Sequence, residues 1–233
     1  MKEQKLEHVV GNLGVYRVEA PFDEALKSLS SANCRPISSR ELAYVRVKQK
    51  DRNCSIWNFG NYTREGFLYS KNKPVLVALN SPLLDLQLAQ LAVESNRRAK
   101  YFSVDNEVYE RYREIAEDDK NKPTEEIAVL ILPKRENYGI PTNRFNENEL
   151  ALFLFKDQAE NYGNYLKKEG ISAIPIMLID KNYVDSNEKT FLTQLWISYL
   201  ENWSVLDGSN RLLHLDEGDY KRDVRMRSVK IVK

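Results

Sequence analysis

Two apolar runs, Ile127 to Leu132 and Ile171 to Ile179, flank a segment of helical periodicity, and this arrangement constrains the fold more than any other feature of the chain. Each run is far short of the roughly twenty apolar residues that a membrane span needs. Each is instead long enough for a strand buried on both faces. Between them, Leu150, Phe153, Leu154, Ala159, Tyr162 and Leu166 recur at helical spacing. Asn146 and Glu149 have the spacing of a capping box ahead of that helix, and Gly170 supplies a stop. Strand, helix and strand of these lengths predict a right-handed βαβ unit with parallel strands.

The first half reads differently. Leu13 to Glu19 predicts a strand, and Pro21 opens a short helix carrying Phe22, Leu26 and Leu29. Ser38 and Glu41 form a second capping-box pattern, ahead of a helix through Leu42 and Val45. Ser55 to Phe59, Gly66 to Tyr69 and Pro74 to Leu79, the first two separated by Gly60-Asn61, predict a three-strand meander. Ser81-Pro82 introduces a helix with Leu84, Leu88, Leu91 and Ala92 on one face. A strand over Tyr101 to Val104 and a helix over Glu107 to Asp118, burying Val108, Tyr112 and Ile115, follow. The fold class expected is mixed α/β (α+β), with an N-terminal meander sheet plus helices and a C-terminal lobe built on the βαβ unit. Charged, apolar-free Glu117 to Pro123 divides the chain into 1–119 and 124–233, as two domains or as one continuous domain. Beyond it, Phe191, Leu195 and Tyr199 together with Leu192, Trp196, Leu200 and Trp203 predict a helix with two apolar ridges, and Val224 to Ile231 a terminal strand. Two ridges are wide for one-sided packing, so this helix is either buried between layers or the surface of a homodimer.

Composition narrows the function. The start, Met1 to Val10, is charged and lacks the apolar core of a secretory leader, which points to the cytoplasm. Cys34 and Cys54 are the only cysteines and His8 and His214 the only histidines, too few for a dedicated zinc or haem site. In a reducing compartment the two cysteines read as free thiols. The formal net charge of +1 gives no global pull toward nucleic acid or membrane. Charge is nevertheless segregated, with nine basic residues against three acidic from Arg35 to Lys73.

Two places carry candidate chemistry. Arg46, Lys48, Lys50, Arg52, Trp57, Tyr62 and Arg64 interleave cations with aromatic rings, the combination that neutralises phosphates and stacks on bases. They make nucleic-acid binding the leading functional expectation. At the ends of the two βαβ strands, Lys134 and Arg135 could hold a phosphate, while Asp180 or Asp185 could act as a base. These residues define the alternative, a phosphate-ester or small-molecule enzyme. No cofactor is expected outside that alternative, where a magnesium ion on Asp180 or Asp185 is conceivable. A third reading is a non-catalytic dimeric interaction protein. Other templates fail. The element order from Ser38 to Val104 matches metal-dependent nucleases, but Val75 to Asn80 offers no carboxylate or lysine, and Glu65 is the only carboxylate nearby. No phosphate loop, nucleophile elbow or dinucleotide fingerprint occurs.

Overall fold

The chain opens with a hairpin, β1 (Lys5–Val10) and β2 (Leu13–Ala20), joined through Gly11, which sits at φ +61°. This computed structural model describes residues 5–49, 56, 60–95, 101–118, 128–200, 203–209 and 224–231. Pro21 precedes α1 (Phe22–Ser31), and Ser38 caps α2 (Ser39–Lys48). The Ser38 hydroxyl accepts the Glu41 N–H while the Glu41 carboxylate accepts the Ser38 N–H, completing the expected box. Between the two helices lies the short β3 (Arg35–Pro36). Next come β4 (Asn61–Tyr69) and β5 (Val75–Ala78), an antiparallel pair. Asn61 therefore begins a strand where a turn was expected, because its backbone pairs with Ile197. The expected strand Ser55 to Phe59 lies outside the described residues except for Ile56, which is helical and buried.

Ser81 caps a single 3-10 turn, and Asp85 accepts the Gln87 and Leu88 N–H groups at the start of α3 (Leu86–Ser95). Then follow β6 (Ser103–Val104), α4 (Asn106–Glu117), β7 (Val129–Leu132) and β8 (Tyr138–Pro141). The fully buried residue of α4 is Tyr109, whose hydroxyl donates to the Pro74 carbonyl at 2.7 Å; Val108, Tyr112 and Ile115 are half-buried. The acidic segment through Pro123 lies almost wholly outside the described residues.

The long helix expected before Gly170 is broken in two. Thr142–Glu147 forms a 3-10 segment, so the cap of α5 (Glu149–Phe155) is Asn148, whose side chain accepts the Ala151 N–H at 3.1 Å, and not Asn146. At Lys156 the backbone turns to φ +49° before α6 (Ala159–Lys168), which Gly170 ends at φ +79°. β9 (Ala173–Met177) and the one-turn α7 (Lys181–Asp185) follow.

The largest departure is at Phe191 to Trp203. This segment is not a helix but strand β10 (Thr190–Leu200) running into β11 (Trp203–Asp207), so the helical surface expected to receive a second copy does not exist. β10 lies inside the sheet, with β4 on one edge and β11 on the other. Phe191, Leu195 and Ile197 enter one core cluster, while Leu192 and Trp196 face the other. A strand apolar on both faces satisfies any period, and that is why it mimicked two helical ridges.

The last strand, β12 (Val224–Ile231), pairs antiparallel with β2 over its whole length, from Val224↔Ala20 to Ile231↔Leu13. The principal strand order is β1-β2-β12-β4-β10-β11-β9-β8. Off this path β5 joins β4 to β7, so the sheet's hydrogen bonds pass from the first half of the chain to the second. A parallel pair is present, but the parallel partner of β9 is β11; β7 pairs antiparallel with β5, and β9 antiparallel with β8. The βαβ pairing of β7 with β9 is not formed, because β5, β4, β10 and β11 lie between them. One core cluster is covered by α2, α5 and α6, the other by α1, α3 and α4. Helices thus cover both faces of the sheet.

Where the β4–β10 register shifts, between Gln194 and Trp196, the buried Gln194 amide repairs the ladder. Its Nε2 donates to the carbonyls of Thr63 and Glu65, groups that a bulge would otherwise leave short of partners.

Close approach at Gly163 gives a test of this packing. A Cβ there would lie 2.6 Å from the Phe145 Cβ and 2.9 Å from the Thr142 carbonyl oxygen. Helix propensity alone favours Gly163→Ala by about 1 kcal/mol. Overpacking predicts the opposite sign, a loss of about 1–3 kcal/mol in urea unfolding. A stabilised variant would mean that α6 does not lie this close to the 142–147 segment.

Candidate binding cleft

Chain reversals after β7 and β9 bring two polar segments together. Residues 133–137 leave β7, and 178–182 leave β9, and a cleft of about 400 Å³ opens between Arg135, Glu136 and Asn137 on one wall and 178–182 on the other. That volume lies within the range of ligand sites. Of the four strand-end candidates, Arg135 and Asp180 line the cleft, while Lys134 and Asp185 do not, and all four side chains are engaged.

Arg135 grips Asp185 as a fork, with Nη1 at 3.1 Å from Oδ2 and Nη2 at 2.5 Å from Oδ1. Asp185 also accepts the Asn72 N–H at 2.8 Å, so one carboxylate ties the β4–β5 turn, α7 and the β7 exit together. Hydrogen bonds from Arg135, with help from the Asn72 N–H and the charges of Arg135 and Lys181, hold the Asp185 carboxyl below its ordinary value. Asp180 caps α7 by accepting the Tyr183 N–H at 3.0 Å. Asn137 accepts the Leu178 N–H at 2.7 Å and locks the opposite wall. Lys134 lies over the Tyr138 ring at 5.5 Å, and burial with the Glu149 charge pushes the Tyr138 hydroxyl up to about 12. Beneath α7, Tyr183 packs on Tyr101 and Phe191 at ring separations of 4.9 and 5.5 Å. Glu136, Lys181 and Asn182 are exposed at the cleft rim.

The described members of the basic, aromatic set do not share one face. Arg46 is fully buried, donating to the Ile56 carbonyl at 3.3 Å and to the Tyr162 hydroxyl at 2.9 Å, and so pins residue 56 to α6. Tyr62 is buried in the core cluster on the α1 side. Lys48 is exposed at the last turn of α2. Arg64 faces a different cavity, beside Glu65. Lys50, Arg52 and Trp57 lie outside the described residues.

That second cavity, about 60 Å³, was not legible in the sequence beyond Arg64 and the isolated Glu65. Glu65 is buried at the start of α2, where its oxygens accept the Ser39 N–H at 3.1 Å and the Ser39 hydroxyl at 2.9 Å. Burial pushes the Glu65 carboxyl up, against hydrogen bonds from Thr63 and Ser39 and the charge of Arg64. Nearby Glu41 moves the other way: burial alone would raise it, but the hydrogen bonds of Arg35 and Ser38 and the Arg35 charge outweigh that and hold it low.

Among the described residues no group of three or more His, Cys, Asp or Glu side chains gathers in a way that would hold a metal ion. Nor, among them, is any helix long and apolar enough to cross a membrane.

No protein-family model and no curated protein matches the chain. Among solved structures it is similar to one described as the accommodation of massive sequence variation in Nanoarchaeota by the C-type lectin fold. Identity is 14%, 98% of each chain is covered, and the TM-score is 0.60. Likeness over almost the full length of both chains shows that this chain shares that fold.

Asp185 and Glu65 give opposite pH signatures. Asp185 has a depressed folded-state pKa, so its contribution to stability is present above the ordinary aspartate range and is lost as pH falls through the depressed value. Glu65 has a raised one, so its contribution is present below the ordinary glutamate range and is lost as pH rises through the raised value. Asp185→Asn should therefore flatten the acid limb of a Tm–pH profile, and Glu65→Gln the limb above it. Parallel profiles for wild type and both variants would contradict these assignments.

Proposed function

We propose that this chain is a non-catalytic recognition protein that binds a polar partner at the cleft between the β7 and β9 exits. The observation that carries this reading is the division of labour in the cleft. Of the strand-end candidates, Asp180 caps α7, and Asp185 and Arg135 hold each other, so these three serve the walls. The exposed groups of the rim, Glu136, Lys181 and Asn182, bring charge of both signs and an amide, which suits hydrogen-bonded recognition. The likeness to a C-type lectin fold described as accommodating massive sequence variation supports the same reading, since such a scaffold keeps its shape while its surface changes. Fold alone does not assign a ligand.

A nucleic-acid surface retains less support, because Arg46 and Tyr62 are core residues and Arg64 faces the smaller cavity. The phosphate-ester enzyme built on Lys134, Arg135, Asp180 and Asp185 would need one of its carboxylates released from its present bonds.

The test is an NMR titration of the protein with short peptides, oligosaccharides, single-stranded DNA and RNA, and p-nitrophenyl phosphate. The comparison is a triple variant, Glu136→Ala with Lys181→Ala and Asn182→Ala. Each exposed substitution should change stability by no more than about 0.5 kcal/mol, while the resonance shifts seen with any ligand of the wild type disappear. Turnover of the ester that Asp180→Asn abolishes would replace recognition with catalysis. Nucleic-acid shifts centred on Lys48 and indifferent to the triple variant would restore the basic surface.

A further inference from the structure

The two ends of the principal strand path are built differently. At one end β8 is four residues long, and its exposed positions are Gly139 and Pro141. Short length and a proline are common guards of a sheet edge. At the other end β1 is six residues long and has no proline, and among the described strands only β2 pairs with it. Along its outer side Leu6 is 49% exposed and Val9 57%.

These two side chains share a face because the strand is irregular. Residues three apart in a regular strand point to opposite faces. The register of β1 on β2 shifts between Leu6 and His8, which sets Leu6 opposite Tyr16 and Val9 opposite Gly14. Cross-strand partners share a face, and positions 14 and 16 of β2 are on the same one. Lys5, His8 and Val10, opposite Arg17, Val15 and Leu13, are on the other face, where Val10 packs on the core cluster that α2 covers. On the Leu6 and Val9 side, Gly14 brings no side chain over Val9, and the core cluster under α1 takes in Val18 and Ala20, farther along β2. A bulge ordinarily blunts an edge; here it gathers two apolar side chains beside one.

An edge of this kind is matched by an extended strand, whose backbone groups have the spacing of its own. Side-chain order specifies which strand. From Lys5 to Val10 the apolar exposed-face residues stand second from each end, and both terminal residues are on the core face, so the pattern reads alike in either direction. A two-fold axis normal to the sheet, passing between positions 7 and 8, lays β1 antiparallel on β1 of a second copy. Leu6 then lies opposite Val9 of the second copy, Lys5 lies opposite Val10, and each face meets the same face. Every other antiparallel register leaves at least two of the four Leu6 and Val9 side chains with no apolar residue opposite.

We propose that β1 is a homodimerisation edge, through which two copies of this chain join antiparallel into one continuous sheet, Leu6 of each against Val9 of the other. The contact is isologous and closes on itself. A single strand pair is at the small end of interface sizes, so dimer and monomer exchange reversibly.

The test is sedimentation velocity of the full chain from about 1 μM to about 1 mM, the range in which a small contact dissociates, with amide hydrogen exchange of β1 followed over the same range. Dimer should grow with concentration, and exchange in β1 should slow in step. Leu6→Lys and Val9→Lys should each weaken association by about tenfold or more, since each sets a charge against an apolar side chain at two symmetry-related places. Both positions are exposed, so the Tm should stay at the wild-type value. Oxidation of a chain carrying Leu6→Cys and Val9→Cys, with Cys34→Ser and Cys54→Ser, should give a covalent dimer linked between positions 6 and 9. Links from 6 to 6 or from 9 to 9 alone would overturn the pairing. The triple variant at the cleft rim should dimerise as wild type does, which separates failure of this edge from failure of the recognition cleft. A monomer at every concentration, or a dimer that both lysine variants leave intact, would overturn the proposal. So would protection of the β1 amides that is equal at all concentrations, the sign of another segment of the same chain on the edge. Slowing that requires an added, unrelated extended peptide would give the edge to a different protein.

Discussion

β12 comes last among the described strands, yet it lies between β2 and β4, with eight paired positions on β2 and one on β4. The β1–β2 hairpin and β12 therefore belong to one sheet with the strands that lie between them in sequence, and the helices are excursions from it. Closing a loop of that length costs entropy that grows only slowly with length. It does place a long-range pairing on the folding path, which slows folding. In return, once the ends are joined, the strand connections can differ in sequence without opening the sheet. Under the proposed recognition role, this pairing is what keeps the scaffold independent of its surface.

The scaffold is specified by a few polar groups as much as by apolar burial. Gln194 bridges the β4 carbonyls at a register shift, Glu65 satisfies the start of α2, and Arg46 links residue 56 to α6. Each is buried, and each would leave unsatisfied partners if truncated, a larger penalty than the modest net gain of forming one hydrogen bond. In the strand-end cleft the same logic operates closer to solvent. Asp180, Asp185, Arg135 and Asn137 shape the walls and so present Glu136, Lys181 and Asn182 in fixed positions.

How much of this was legible in the sequence depended on whether the signal was local. The Ser38–Glu41 capping box, the Gly170 stop, the β2 and β12 strands and the mixed α/β class all follow from short-range chemistry. β10 was misread because a strand buried on both faces loses its alternation, and the apolar run from Phe191 then fits a helix as well as a strand. The β7–β9 pairing was misassigned because strand order depends on which later strands intervene, and no local pattern reports that. For the site, Arg135 and Asp180, picked out as strand-end residues, do line one cleft, but the sequence could not show that Asp180 and Asp185 were already committed. Arg46 looked like part of a basic surface because a fully buried arginine is rare. Lys156 carried no sequence signal at all, since its distinction is a backbone angle.

The most direct test of a scaffold separable from its recognition surface is a saturation-mutagenesis scan read by cellular abundance of the folded chain. Positions 136, 181 and 182 should accept nearly every residue, while Arg46, Glu65, Gln194 and Gly163 accept few. If the rim positions prove as intolerant as Gln194, the cleft is part of the scaffold and the division between fold and surface drawn here is wrong.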